Sequence, residues 1–214
     1  MNDMNSNRFT LLAILFCVCL IASNIFENII FTAGPVHLTG GFLIFPISYI
    51  INDCISEVYG FRHARFVIIT AFGVNLAFVL LAWLVSRLPA AGYCEAAPHF
   101  AYIFNADLRI TSGSMLAFVA GSLLNAHVMV RMKARSTDGR GFGWRAVASS
   151  LVGETADSLI FFPIAFWGVG GSNILRLMLT QIILKTLYEV VVLPLTTVFV
   201  RYLKKKEGET PREI

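Results

Sequence analysis

Seven ionisable side chains stand inside or at the edges of long apolar runs: Glu27, Asp53, Glu57, Glu154, Asp157, Lys185 and Glu189. Six of them are acids, out of 13 Asp and Glu in the whole chain. A charge in hydrocarbon is costly unless it faces a bundle interior, water or a partner, so each one marks a candidate function. At a rise of 1.5 Å per residue, Asp157 lies about 15 Å from one end of its run, Lys185 about 14 Å from the opposite end of its own, and Asp53 about 18 Å in. These three approach a bilayer midplane, and Asp157 and Lys185 are matched in depth. Glu57 and Glu27 lie nearer the ends of their runs.

Helical spacing collects these groups with other polar and aromatic residues. Tyr49, Asp53 and Glu57 recur at i, i+4 and i+8; Ser150, Glu154, Asp157 and Phe161 at i, i+4, i+7 and i+11; Gln181, Lys185, Tyr188 and Glu189 at i, i+4, i+7 and i+8. Each set makes one stripe on a helix. A fourth stripe, Ser114, Phe118, Gly121, Ser122 and Asn125, carries small residues that permit close helix contact. Ser23, Asn24 and Glu27 form the polar end of a fifth. Stripes converging on a central cavity fit a polar ligand held at the midplane. The expected ligand-facing set is Asn24, Tyr49, Asp53, Glu57, Asn125, Glu154, Asp157, Phe161, Lys185 and Glu189. An ionised carboxylate presents two acceptor oxygens side by side, which suits the paired N–H donors of a guanine-type base. Phe42, Phe45, Tyr49, Phe161, Phe162, Phe166, Trp167 and Tyr188 offer aromatic faces, although most of the 18 Phe serve packing or face lipid.

These residues need membrane-crossing helices to position them. Of 214 residues 57% are hydrophobic and 14% charged, and the mean hydropathy is +0.71. Average soluble domains carry about 25% charge, so a large soluble domain is excluded. Six runs, roughly 9–30, 41–59, 66–86, 110–130, 147–169 and 176–200, predict an all-α membrane protein of six transmembrane helices. Residues 1–205 read as one six-span domain and 206–214 as a short tail. Three spans plus three permit two inverted three-helix halves. Phe45-Pro46 and Phe162-Pro163 fall in the same half of the bilayer in such an arrangement.

Basic residues alternate between connections. Thirteen, from Arg8 and Arg62 to the Arg131–Arg145 and Arg201–Arg212 groups, fall on one side, and Arg87, Arg109 and Arg176 on the other. The positive-inside rule then places both termini in the cytoplasm, which requires an even number of spans. Reporter fusions at Gly92 and Gly139 are expected on opposite sides, and same-side signals would contradict the topology. Net charge +4 belongs to this loop asymmetry and calls for no nucleic acid. The first run is too long for the apolar region of a signal peptide and no Ala-x-Ala site follows, so it reads as a retained span. The outer connection from Arg87 to Arg109 is aromatic, as an interfacial belt or a lid would be. Cys17, Cys19, Cys54 and Cys94 form no Cys-x-x-Cys pair, and no metal or cofactor is expected.

Particular strings go further. Ile21-Ala22-Ser23-Asn24-Ile25, Phe45 through Asp53 followed by Glu57-Val58-Tyr59-Gly60 and Ala64-Arg65, and Asp157-Ser158 with Ile164-Ala165-Phe166-Trp167-Gly168 resemble the queuosine precursor transporter family, also called vitamin uptake transporters. The resemblance runs from about residue 11 to 200, and Asp-x-x-x-Glu-Val-Tyr-Gly is its most specific motif. It implies a six-helix importer in the bacterial inner membrane whose partners are the lipid bilayer and a small 7-deazapurine: 7-cyano-7-deazaguanine, its aminomethyl relative or queuine. A homo-oligomer stays open. The chain departs from the family in span four, where Ser122 and Asn125 replace a frequent Gln and Asp, and in span five, where Glu154 stands at a frequent Gln or Asn.

Two other classes of function compete with this reading. An intramembrane enzyme would need a catalytic constellation, and no His-Glu-x-x-His or Gly-x-Ser-x-Gly string occurs, so the chain reads as no enzyme. A six-span substrate-binding subunit of an ATP-driven importer would depend on a partner, whereas a secondary transporter works alone. Coupling to protons is expected if the acids exchange them during the cycle, in which case Lys185→Ala impairs transport more than Lys185→Arg.

Overall fold

The computed structural model describes residues 7–26, 29–33, 36–104, 108–135, 141–165 and 173–207. The apolar runs form α1 (Asn7–Phe26), α2 (Phe45–Tyr59), α3 (Phe61–Ser86), α5 (Leu108–Ala134), α6 (Phe142–Ala165) and α7 (Asn173–Glu207), with a short α4 (Ala97–Phe104) in the outer connection. Six stretches are long and apolar enough to cross a membrane, so the chain is an all-α multi-pass membrane protein. Alone, 15-residue α2 would reach about 22 Å, short of a bilayer core; the 3-10 turn Gly40–Leu43 in front of it completes the span.

Boundaries differ from the expected ones where backbone chemistry intervenes. Span one was expected to run to residue 30, but α1 ends at Phe26, and Ile30–Ala33 (β1) pairs antiparallel with Val36–Thr39 (β2), Ile30 opposite Thr39 and Ala33 opposite Val36. β-branched and aromatic residues favour this extended form, and hairpin pairing satisfies backbone groups that lipid cannot. At the other boundaries α3, α5 and α6 begin earlier than the apolar runs, α5 continues to Ala134 and α7 runs on to Glu207. One residue, Gly60, links α2 to α3 with φ 85°, a conformation that favours glycine. Between α3 and α5, Phe104 of α4 packs edge-on against Phe78 (ring centroids 5.9 Å), and Tyr93 and Tyr102 of this connection are exposed.

The middle of the bundle belongs to α2, which touches α1, α3, α5, α6 and α7. Every residue of it except Ile47 and Ile50 is buried. Around it, Leu11, Ile14 and Val18 of α1, Leu80 and Leu84 of α3 and Val191 and Leu195 of α7 are exposed, an apolar belt suited to lipid. Phe9 at the start of α1 packs edge-on against Tyr59 (5.2 Å) and His63 (5.4 Å), and Phe61 against His127 of α5 (5.4 Å). The start of α1, the α2–α3 link and the end of α5 therefore share one face, where the basic residues gather.

Candidate functional site

One buried polar chamber is assembled from α2, α5, α6 and α7. Asp53 of α2 is 1% exposed. Its Oδ1 accepts from Asn125 Nδ2 of α5 (2.8 Å), and its Oδ2 from Ser150 Oγ of α6 (3.4 Å). Glu189 of α7 lies beside Asp53 and Ser150. Among the described residues, no donor has hydrogen-bond geometry with either oxygen of Glu189. Along α6, Glu154 accepts weakly from Thr186 Oγ1 (3.5 Å), and Asp157 Oδ2 stands 3.8 Å from Lys185 Nζ. The ammonium also lies 4.1 Å from the centre of the Phe45 ring, a cation–π contact that helps a lysine tolerate burial. Of these charged groups Asp157 and Lys185 are the least enclosed, at 8% and 9% exposure against 1% for Asp53 and Glu154.

Tyr49 lies against this chamber with its hydroxyl buried and without a hydrogen-bond partner among the described residues. It is within electrostatic reach of Asp53, Glu154, Asp157 and Glu189. Phe45, Tyr49 and Phe118 make an aromatic wall, with centroids 5.5 and 5.8 Å apart.

Gly121 of α5 and Gly153 of α6 let two helices meet at this level. A Cβ added to Gly121 would stand 2.8 Å from Gly153 O, 2.8 Å from Tyr49 Oη and 3.0 Å from Asp157 Cβ; one added to Gly153 would stand 2.8 Å from Asn125 Cβ. Backbone on the opposing helix cannot yield to such a contact. Gly121→Ala is therefore expected to destabilise the protein by about 1–3 kcal/mol, read as a lowered unfolding temperature in detergent. An unchanged unfolding transition would contradict this packing.

Of the residues expected to face a ligand, Tyr49, Asp53, Asn125, Glu154, Asp157, Lys185 and Glu189 come together here. Asn24 is half-buried near the end of α1, and Phe161 is half-buried against Phe162 (5.5 Å). Glu57 goes elsewhere. One turn beyond Asp53, fully buried, it forms an ion pair with Arg145 of α6 (2.8 Å) and with Lys204 of α7, while Lys133 of α5 donates to its backbone carbonyl. Glu57 therefore ties four helices at the basic face. Glu27, Phe166 and Trp167 lie outside the described residues, as does the Gln181 side chain.

The apolar run that begins near residue 147 leaves Arg145 in a connection, but the early start of α6 puts it inside a helix at 3% exposure. Its spacing to Ser149 and Gly153, i+4 and i+8, was the available signal. In the sequence Ser150 stands out only as a stripe member, and nothing marks Gly153. Its role depends on the partner helix, which periodicity within one helix does not reveal.

Similarity to known proteins identifies the family of the chain. The family model described as "Putative vitamin uptake transporter" matches residues 39–199. The chain is 30% identical over 131 residues to the "Queuosine precursor transporter" of Escherichia coli (strain K12), covering 61% of this chain and 56% of that protein. It is 31% identical over 134 residues to the "Probable queuosine precursor transporter" of Haemophilus influenzae, covering 61% of this chain and 53% of that protein. The matches thus span little more than half the length of these curated relatives. No solved structure matches. With three quarters of its length covered by the family model and a buried polar chamber inside six spans, the chain belongs to the vitamin uptake transporter family.

Proposed function

We propose that this protein imports queuosine precursors, 7-deazapurines such as 7-cyano-7-deazaguanine, its aminomethyl relative or queuine, across the bacterial inner membrane as a secondary transporter. The observation that carries the reading is the Asp157–Lys185 pair. Its members are the least enclosed charges of the chamber, and 3.8 Å separates them, a looser contact than a tight charged hydrogen bond. A 7-deazaguanine edge presents a carbonyl oxygen beside a ring N–H and an amino N–H. Lys185 donates to the first and Asp157 accepts the other two, while Phe45 and Tyr49 supply ring faces. An adenine-type edge, with an amino group in place of the carbonyl, would set a donor against the ammonium. The names of the two relatives support the same substrate class.

On this reading the basic face is cytoplasmic, following the basic-residue count. Substrate leaves toward that face, so the Glu57 tie to Arg145 and Lys204 has to open during the cycle. In a bacterium unable to make 7-cyano-7-deazaguanine and lacking its own importer, expression of this chain is expected to restore queuosine in tRNA when the precursor is supplied at low concentration. TRNA that stays unmodified while the protein is present in the membrane would contradict the proposal.

A further inference from the structure

Lys185 serves one end of the chamber. It pairs with Asp157, is capped by Phe45 and lies within electrostatic reach of Glu154. At the other end, Asp53 and Glu189 face each other across α2 and α7. The remaining groups facing Asp53 and Glu189 are Asn125 from α5, Ser150 from α6, and Tyr49 and Cys54 from α2, with Glu154 of α6 toward Glu189 and Glu57 one turn along. Lys185 lies one turn before Glu189 on α7, but its ammonium is turned to Asp157 and the Phe45 ring; none of the other groups is a cation. Two carboxylates in contact in a dry interior cannot both hold their charge without a counter-ion. Both are at least nine-tenths buried, and neither oxygen of Glu189 has a donor among the described residues.

We propose that Asp53 and Glu189 form the coupling site of the transporter, sharing a single proton that travels inward with each substrate molecule. The donors around Asp53 favour a proton over a metal ion. Asn125 and Ser150 aim hydrogens at the Asp53 oxygens, occupying lone pairs that a sodium ion would need, whereas one hydrogen bridging the two carboxyl groups supplies the donor that Glu189 lacks. In the loaded state one O–H bond exists and the pair carries a net charge of −1. Opening toward the cytoplasm lets water reach the pair, so release breaks that bond and leaves two hydrated carboxylates, and uptake of a proton from outside restores the loaded state. The substrate edge remains with Asp157 and Lys185, so recognition and coupling use different carboxylates.

The inference rests on the transport reading, and its test separates the two. Infrared difference spectra of the purified full chain, without substrate, report the C=O stretch of a protonated carboxyl group. A band present at neutral pH in sodium-free and in sodium buffer, shifted in D2O and reduced by Asp53→Asn and by Glu189→Gln, is the expected result. A spectrum without that band, a band untouched by both substitutions, or one abolished by sodium would overturn the proposal whatever the substrate.

In proteoliposomes with the voltage clamped, one pH unit of inward gradient should accumulate 7-cyano-7-deazaguanine about tenfold over the level without a gradient, the limit for one proton per substrate. The ratio should fall to one with a protonophore or in Glu189→Gln. Wild-type uptake indifferent to the gradient would overturn the coupling and leave the importer standing. Absence of any uptake would instead count against the importer, with the infrared band still deciding the proton site.

Discussion

Glu57→Ala is expected to destabilise the purified protein by about 3–5 kcal/mol, the usual cost of removing one member of a buried ion pair. The carboxylate is fully buried, Arg145 beside it is 3% exposed, and Lys204 reaches the same Oε1 atom. Alanine would leave the guanidinium buried with its nearest counter-charge gone. It would also release a joint between α2, α6 and α7 at the basic face. The double variant Glu57→Ala/Arg145→Ala should recover part of the loss, because no uncompensated buried charge remains. Thermal unfolding of wild type and variants in one detergent checks both statements. A Glu57→Ala transition at the wild-type temperature would mean that this network adds nothing to stability.

Asp157→Asn should weaken apparent substrate affinity about 10- to 150-fold, from the roughly 1.5–3 kcal/mol of a hydrogen bond to a charged group. Asparagine keeps the shape but offers one acceptor oxygen in place of two, and its NH2 group meets the N–H donors of the substrate. Lys185→Arg should retain more uptake than Lys185→Ala, because it still donates toward the carbonyl and still balances Asp157 and Glu154. Concentration dependence of uptake measures both. If Asp157→Asn transported with wild-type affinity, the carboxylate assignment would be wrong.

Much of this arrangement was legible because membrane chemistry is unforgiving. A carboxylate in an apolar run needs a reason to be there, and depth along a helix follows from counting residues. Those two facts placed Asp157 level with Lys185, and the structure has them 3.8 Å apart. Helical spacing put Tyr49 and Asp53 on one face, and both border the chamber. Glu57 shares that stripe, but its environment could not be read within α2. It depends on Arg145, Lys133 and Lys204, which come from three other helices and look in the sequence like loop and tail charges. The β1–β2 hairpin was hidden for a different reason, since Ile29 to Phe31 are as apolar as the span before them and hydropathy does not separate a strand from a helix. The Gly121–Gly153 approach is likewise a property of two surfaces, legible on one helix as small residues and on the other only after packing.

The central claim, that this chain by itself moves a 7-deazaguanine across a membrane, is tested most directly by uptake of labelled 7-cyano-7-deazaguanine into proteoliposomes that contain this chain and no other protein. The expected result is saturable uptake, competed by unlabelled 7-aminomethyl-7-deazaguanine and not by adenine, and strongly reduced in Asp157→Asn. Vesicles that take up no more label than protein-free ones, although they hold folded protein, would contradict it.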